Sequence, residues 1–239
     1  MKKLVLVLVL VSLFSCKKDA TDSVDPTPTT SNVKVQITYN VDGEAVLFDT
    51  VRYTTPSGLP FSVVTVNYFL SNIYLIKSDS SNVKLADYFY GDGRDITSSL
   101  DVSSIAVGNY IGIKFNIGVD SAHNVVDGLP ATVDYNNMIW PEALGGGYHF
   151  LKFEGYFTDA GSNYGYAMHL GKNPNLVPVV LYHSISVSGT TSAINLKMNL
   201  NEWLKNPSIY DFNTDGNYSM MNDAAMQKLS ENGTDVFSF

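Results

Sequence analysis

Two histidines stand on strand-like runs twenty residues apart: His149 in Tyr148-His-Phe-Leu-Lys-Phe-Glu-Gly155 and His169 in Met168-His-Leu-Gly171. The chain has four histidines in all, and Trp140, one of two tryptophans, lies just before a Gly145-Gly-Gly147 run that leads into the first of these strands. Neutral imidazole is a ligand for copper or zinc, and a third soft or neutral donor would bias a two-histidine site towards Cu(I). Whether the two histidines can share an ion depends on the elements that carry them.

The runs Tyr148–Phe157 and Tyr164–Leu170 flank Thr158-Asp-Ala-Gly-Ser162, which has the length and glycine content of a hairpin loop. If Phe157 faces Asn163, His149 faces Gly171 and His169 faces Leu151. Both histidines then project from one face as diagonal neighbours, with Cα atoms about 7–8 Å apart. A change of register by one residue would place them on opposite faces. Met168 points away from His169 in a regular strand, and Trp140 joins the pair if the glycine run folds its loop back over the hairpin. The alternative is that both histidines are ordinary hydrogen-bonded side chains among tyrosines.

Other constellations are weaker. Asp120, Ser121 and His123 contain the residue types of a nucleophilic hydrolase, but no Gly-x-Ser-x-Gly elbow marks a nucleophile, and a polar loop after a strand accounts for them. Asp92 and Asp95 sit in a glycine-rich turn, where acids are ordinary turn formers. Asp211-Phe-Asn-Thr-Asp-Gly216 matches the opening of a calcium loop, with oxygen donors Asp211, Asn213 and Asp215 and a glycine at the sixth position. Asn222 stands where the loop's bidentate glutamate belongs, so a solvated turn is the competing reading. No motif joins a nucleophile or a paired acid and base, and an enzyme is not expected.

The 239 residues suit one large all-β domain. Charged residues are only 16%, with 15 tyrosines and 12 phenylalanines, a composition that fits half-buried strands. The alternation in Val33–Tyr39, Tyr110–Gly118, Val177–Val187 and Ala193–Leu200 predicts strands; so do Val46–Tyr53, the long run Phe61–Lys77, Val83–Tyr90 and a terminal Asp235–Phe239. Met220–Asn232 reads as a helix closed by Gly233, after a helical turn at Asn201–Leu204. The expected fold is an antiparallel β-sandwich with a short C-terminal helix.

The N-terminus carries Lys2-Lys3 and an apolar run Leu4–Val11, the pattern of an export signal and too short to span a bilayer, which takes about 20 residues. Leu13-Phe-Ser-Cys16 resembles a bacterial lipobox, predicting a signal over 1–15, lipidation of Cys16, a disordered polar tether over 16–32 and a domain over 33–239. Cys16 is the sole cysteine, so disulfides and thiolate metal sites are excluded from the domain. Losing Lys2 and Lys3 takes the 15 basic side chains to 13 against 23 acidic ones, a formal charge of −10, which disfavours nucleic acid and permits cations. The expected location is the outer membrane or cell surface of a Gram-negative bacterium, reached through the lipid.

Tyr68-Phe-Leu-Ser-Asn-Ile73, Phe115-Asn-Ile-Gly-Val-Asp120 with Asn124, Met138-Ile-Trp140, Gly147-Tyr148 with Phe150-Leu-Lys-Phe-Glu-Gly155, His169-Leu-Gly171 and Asn232–Phe237 occur in an order that resembles the MbnP-like copper-binding domain family. The resemblance implies a secreted or lipid-anchored β-sandwich. It also implies a copper site of two histidines with a tryptophan that can be oxidised to kynurenine as an additional ligand. Carried onto this chain, it names His169 and His149 as ligands and Trp140 as the residue modified, with an envelope copper-handling or tryptophan-oxidising partner. Pro141 and Glu142 stand where copper-binding relatives place a histidine close after the tryptophan. The function implied is copper capture or buffering at the envelope. The alternative is a surface module that binds glycan or a protein partner through exposed aromatics, with the copper site lost.

Overall fold

Val33, Val35 and Ile37 alternate with polar residues and are buried, which turns one face of the first strand into a core. The computed structural model describes residues 29–239. The expected signal over 1–15, Cys16 and the expected tether as far as residue 28 lie outside the described residues. Strand β1 (Thr30–Val41) begins three residues before Val33, because Thr30 and Ser31 pair with Ala106 and Ile105.

The remaining strands are β2 (Glu44–Ala45), β3 (Tyr53–Thr54), β4 (Pro60–Ile76), β5 (Asn82–Asp92), β6 (Ser99–Ala106), β7 (Gly108–Ile117), β8 (His149–Asp159), β9 (Ser162–Gly171), β10 (Val177–Val187), β11 (Thr191–Asn199) and β12 (Phe237–Ser238). Helix α1 (Val133–Asn137) precedes β8, and α2 (Asp223–Asn232) precedes β12. One sheet runs β12-β11-β1-β2 with β6 also on β1; the other runs β10-β7-β4-β8-β9 with β3 and β5 also on β4. The all-β sandwich is therefore present, with one departure: β1 and β11 pair in parallel. A whole sheet separates those strands in the chain, so no hairpin fixes their relative direction.

The core lies between the sheets. Ile194, Leu196 and Met198 of β11 join the apolar face of β1, and Ile113, Phe115 and Ile117 of β7 come from the other side. Phe237 of β12 packs edge-on against Phe115 at 5.0 Å and Tyr68 at 6.2 Å, tying the terminal strand to both sheets. Each such large apolar side chain contributes about 1.5–3 kcal/mol by leaving water.

Three elements differ from expectation. Val46–Tyr53 is irregular except at its end, with Asp49 at positive φ and held by Arg94 at 2.6 Å. Strand β6 was not foreseen, because only Ile105 of its eight residues is buried. Helix α2 starts at Asp223 rather than Met220, since the Asn222 side chain accepts from the Ala225 amide at 3.1 Å and acts as the N-cap; Met221 is left exposed. Gly233 does follow the helix, but in a right-handed conformation. Its lack of a Cβ serves contact, since one would lie 2.7 Å from the Trp203 ring.

Candidate metal centre

Strands β8 and β9 form the hairpin that the spacing predicts, in a different register. The turn is tighter than the five-residue loop expected: Asp159 pairs with Ser162, and Ala160 (φ 47°) and Gly161 (φ 79°) make the two-residue reversal. Phe157 accordingly faces Tyr164, and His169 faces Lys152 instead of Leu151. That is the one-residue shift that should separate the histidines. It does not, because the ladder slips again: Leu151 faces Leu170 while His149 faces Gly171, leaving Phe150 as an unpaired bulge. The bulged Phe150 is fully buried against Gly118, where a Cβ would stand 2.5 Å from the phenyl ring. Turn and bulge cancel, and the two imidazoles meet edge to face with centroids 4.9 Å apart and planes at 87°.

The pair lies on the face of β8–β9 turned away from the sandwich core. Phe153, Met168 and Leu170 take the core side, while Lys152, Glu154 and His169 alternate onto the other. Met168 points away from the pair, as expected.

Two loops close over this face. Residues Met138–Trp140 run antiparallel to Gly147–His149: the His149 amide donates to Met138 O at 2.7 Å and the Trp140 amide to Gly147 O at 2.8 Å. The reversal between them uses Gly145, Gly146 and Gly147, all at positive φ, which non-glycine residues rarely adopt. The glycine run thus folds the tryptophan back onto the hairpin. The Trp140 ring lies 4.7 Å from the His149 ring and covers Gly171, where a Cβ would be 2.6 Å from the indole. On the other side, residues 217–219 pair with β9, which would otherwise be an open sheet edge. Ser219 Oγ accepts from the His169 amide and donates to the His169 carbonyl, each at 2.6 Å.

Hydrogen bonding fixes which nitrogen of each ring is free. His149 Nδ1 lies 3.2 Å from Met138 O, and a carbonyl only accepts, so Nδ1 carries the proton and Nε2 holds the lone pair. His169 Nε2 donates to Glu154 Oε1 at 2.7 Å, which leaves its Nδ1 as the lone pair. Both free nitrogens are buried and have no hydrogen-bond partner. Leaving a buried polar atom unpaired costs about 1–3 kcal/mol. Two such atoms on touching rings are a donor pair for a cation.

Electrostatics keep the His149 donor unprotonated. Burial, then the neighbouring His169 and Lys152, push the His149 pKa down to about 3. The hydrogen bond from His169 holds the Glu154 carboxyl below its ordinary value despite partial burial. Lys152 reaches over to donate to Asn137 O at 2.5 Å, which ties the end of α1 to the hairpin. A carboxylate behind one metal-ligating imidazole and a carbonyl behind another is the usual outer support of a metal site. Glu154 was not singled out from the sequence, because the expected register, with His169 facing Leu151, puts it on the opposite face; the observed pairing of His169 with Lys152 brings it onto the face of His169.

The described residues contain no group of three or more His, Cys, Asp or Glu side chains suited to one ion. The calcium-like loop gives no such group either. Asp211 and Asp215 turn inward on their own loop, with Asp211 Oδ1 accepting from the Asn213 amide at 3.0 Å and Asp215 Oδ2 from the Asp211 amide at 2.8 Å. Asp215 also pairs with Lys228 at 2.7 Å. Asp92 and Asp95 form similar turns with the amides of Arg94 and Thr97. Asp120 accepts from His123 Nδ1 at 2.9 Å and from the Tyr88 hydroxyl at 2.5 Å. His183 stacks on Phe239 at 4.4 Å. The exposed tyrosines are Tyr156, Tyr164, Tyr182 and Tyr218.

A family model described as MbnP matches residues 30–222. The solved structure of MbnP from Methylosinus trichosporium is similar, with a TM-score of 0.52 and 17% identity over 76% of this chain and 80% of that one, a likeness of fold. No curated protein matches the sequence.

Proposed function

The chain belongs to the MbnP family, and on that premise we propose that it binds copper through His149 and His169 and captures or buffers the metal at the cell envelope. The observation that carries this reading is the pair of buried, unpartnered imidazole nitrogens on rings 4.9 Å apart. Met138 O and Glu154 each hold one nitrogen of a ring and leave His149 Nε2 and His169 Nδ1 without a partner, so both rings are already oriented when an ion arrives. Bound copper would supply the positive charge that the two lone pairs lack. Trp140 excludes water from one side.

In this reading the protein is not an enzyme. Cys16 carries the lipid and holds the domain at the outer membrane or cell surface. Trp140 is the residue for an oxidising partner to convert to kynurenine; its indole N–H now donates to Leu144 O at 3.3 Å. A competition titration of Cu(I) against a chromophoric chelator tests the reading: one equivalent bound by the parent protein, and none retained at the same chelator concentration by His149→Ala with His169→Ala.

A surface interaction module is the second reading. Tyr156 pairs across from Gly165, and the Tyr218 hydroxyl lies 3.4 Å from where a Gly165 Cβ would be, so two exposed tyrosines frame a bare stretch of sheet. Glycan binding by copper-free protein that Tyr156→Ala and Tyr218→Ala abolish would favour it over copper.

A further inference from the structure

Two imidazoles leave a copper ion short of donors; Glu154 is engaged with His169 Nε2, and no group of three or more His, Cys, Asp or Glu suited to one ion is found among the described residues. A thioether is the remaining soft donor that this chain can offer. Met168 faces the core opposite Phe153, Met198 is buried in the other sheet, Met226 sits with its sulfur 3.9 Å from Asn175 Nδ2, Met220 is partly buried against the core in the turn before α2, Met221 is exposed, and Met1 lies outside the described residues. Met138 is placed differently.

In the short ribbon over the hairpin, the bridge between Ile139 and Tyr148 is flanked by the Met138–His149 and Trp140–Gly147 hydrogen bonds. That pattern sets Met138 directly across from His149, and residues directly opposite in an antiparallel pair send their side chains to the same face. Alternation along the ribbon puts Met138 and Trp140 on one face and Ile139 on the other. The exposures agree, at 1% for Met138 and Trp140 and 47% for Ile139. The shared face is the one that meets the site, since the Trp140 ring rests on His149.

We propose that Met138 supplies its thioether as the third protein ligand, completing a His149–His169–Met138 copper site; this rests on the copper reading above. Three neutral donors, one of them sulfur, suit monovalent copper and leave its charge uncompensated. The sequence places this donor two residues before Trp140, in the same Met-Ile-Trp stretch.

X-ray absorption on Cu(I)-loaded protein tests the ligand set directly. The expected spectrum has one sulfur scatterer beside two imidazoles. The sulfur should vanish in Met138→Leu, which keeps the buried volume, and persist in Met168→Leu, with Cu(I) affinity falling about tenfold or more in the former only. Copper held by nitrogen and oxygen alone in the parent protein would overturn the Met138 assignment and leave the histidine site standing. Sulfur that survives in Met138→Leu would overturn it as well. A parent protein that takes up no copper would overturn both.

Discussion

His149 and His169 stand edge to face on the β8–β9 hairpin, 4.9 Å between centroids, because a bulge at Phe150 undoes the one-residue shift that the tight Asp159–Ser162 turn imposes. A regular ladder in either register would have a simpler geometry. The bulge therefore has a functional reading: it aims His149 onto the face that His169 already occupies.

Glu154 fixes the His169 tautomer, so its removal should weaken metal binding without touching a ligand. Glu154→Leu is expected to lower copper affinity about 10- to 100-fold. Glu154→Gln keeps an oxygen that can accept from His169 Nε2 and should retain most of it. Chelator competition on both variants checks the order, and equal affinities would remove Glu154 from the site.

The buried lone pair of His149 predicts a stability cost borne for function. His149→Phe removes the unpartnered Nε2, and the copper-free variant should be as stable as the parent or more stable by about 1 kcal/mol, while copper binding is lost. Urea denaturation with and without Cu(I) measures both. A large destabilisation of the copper-free variant would make His149 a structural core residue.

Gly171 is required by the tryptophan that rests on it. In Gly171→Ala the new Cβ would lie 2.6 Å from the Trp140 ring, so the indole must move off His149. A loss of about 1–3 kcal/mol is expected from the overpacking, with a red-shifted tryptophan emission as water reaches the ring. Unchanged emission and stability would contradict the packing described.

Acid sensitivity should appear at Asp42. Partial burial works to raise its carboxyl pKa, but hydrogen bonds from Asn201 and Asn199 and the charge of Lys205 outweigh it, and the net pKa is lowered. Because the folded value lies below the unfolded one, the stabilisation is fully present above about pH 3.9. It is lost as pH falls through the folded pKa. Asp42→Asn, which cannot titrate, should show a shallower loss of stability over that acid limb than the parent in pH-dependent thermal melts.

Much of the sandwich was legible because alternation along Val33–Tyr39 and Ala193–Leu200 survives as buried and exposed faces; in Tyr110–Gly118 it holds from Ile113 to Ile117, but Tyr110 rather than Ile111 is buried at the start, across a break in the ladder to β10. Strand β6 was not legible, since a polar strand held by its ladder to β1 leaves no apolar period. The histidine pair was reached through a register that proved wrong at His169 and right at His149. Ala160-Gly161 as a two-residue turn is readable from sequence in retrospect, but the bulge at Phe150 depends on packing against Gly118, a contact between distant parts of the chain. Trp140 could be placed because three consecutive glycines permit a reversal that few other residues allow. Which nitrogen each ring leaves free depends on Met138 O and Glu154, and no spacing rule gives that.

The most direct measurement is a crystal of copper-loaded protein with anomalous diffraction collected on both sides of the copper edge. The account predicts one strong anomalous peak within bonding distance, about 2.0–2.1 Å as for other imidazole–metal bonds, of His149 Nε2 and His169 Nδ1 together. A peak elsewhere, or none between these two nitrogens in protein shown to contain copper, would contradict it.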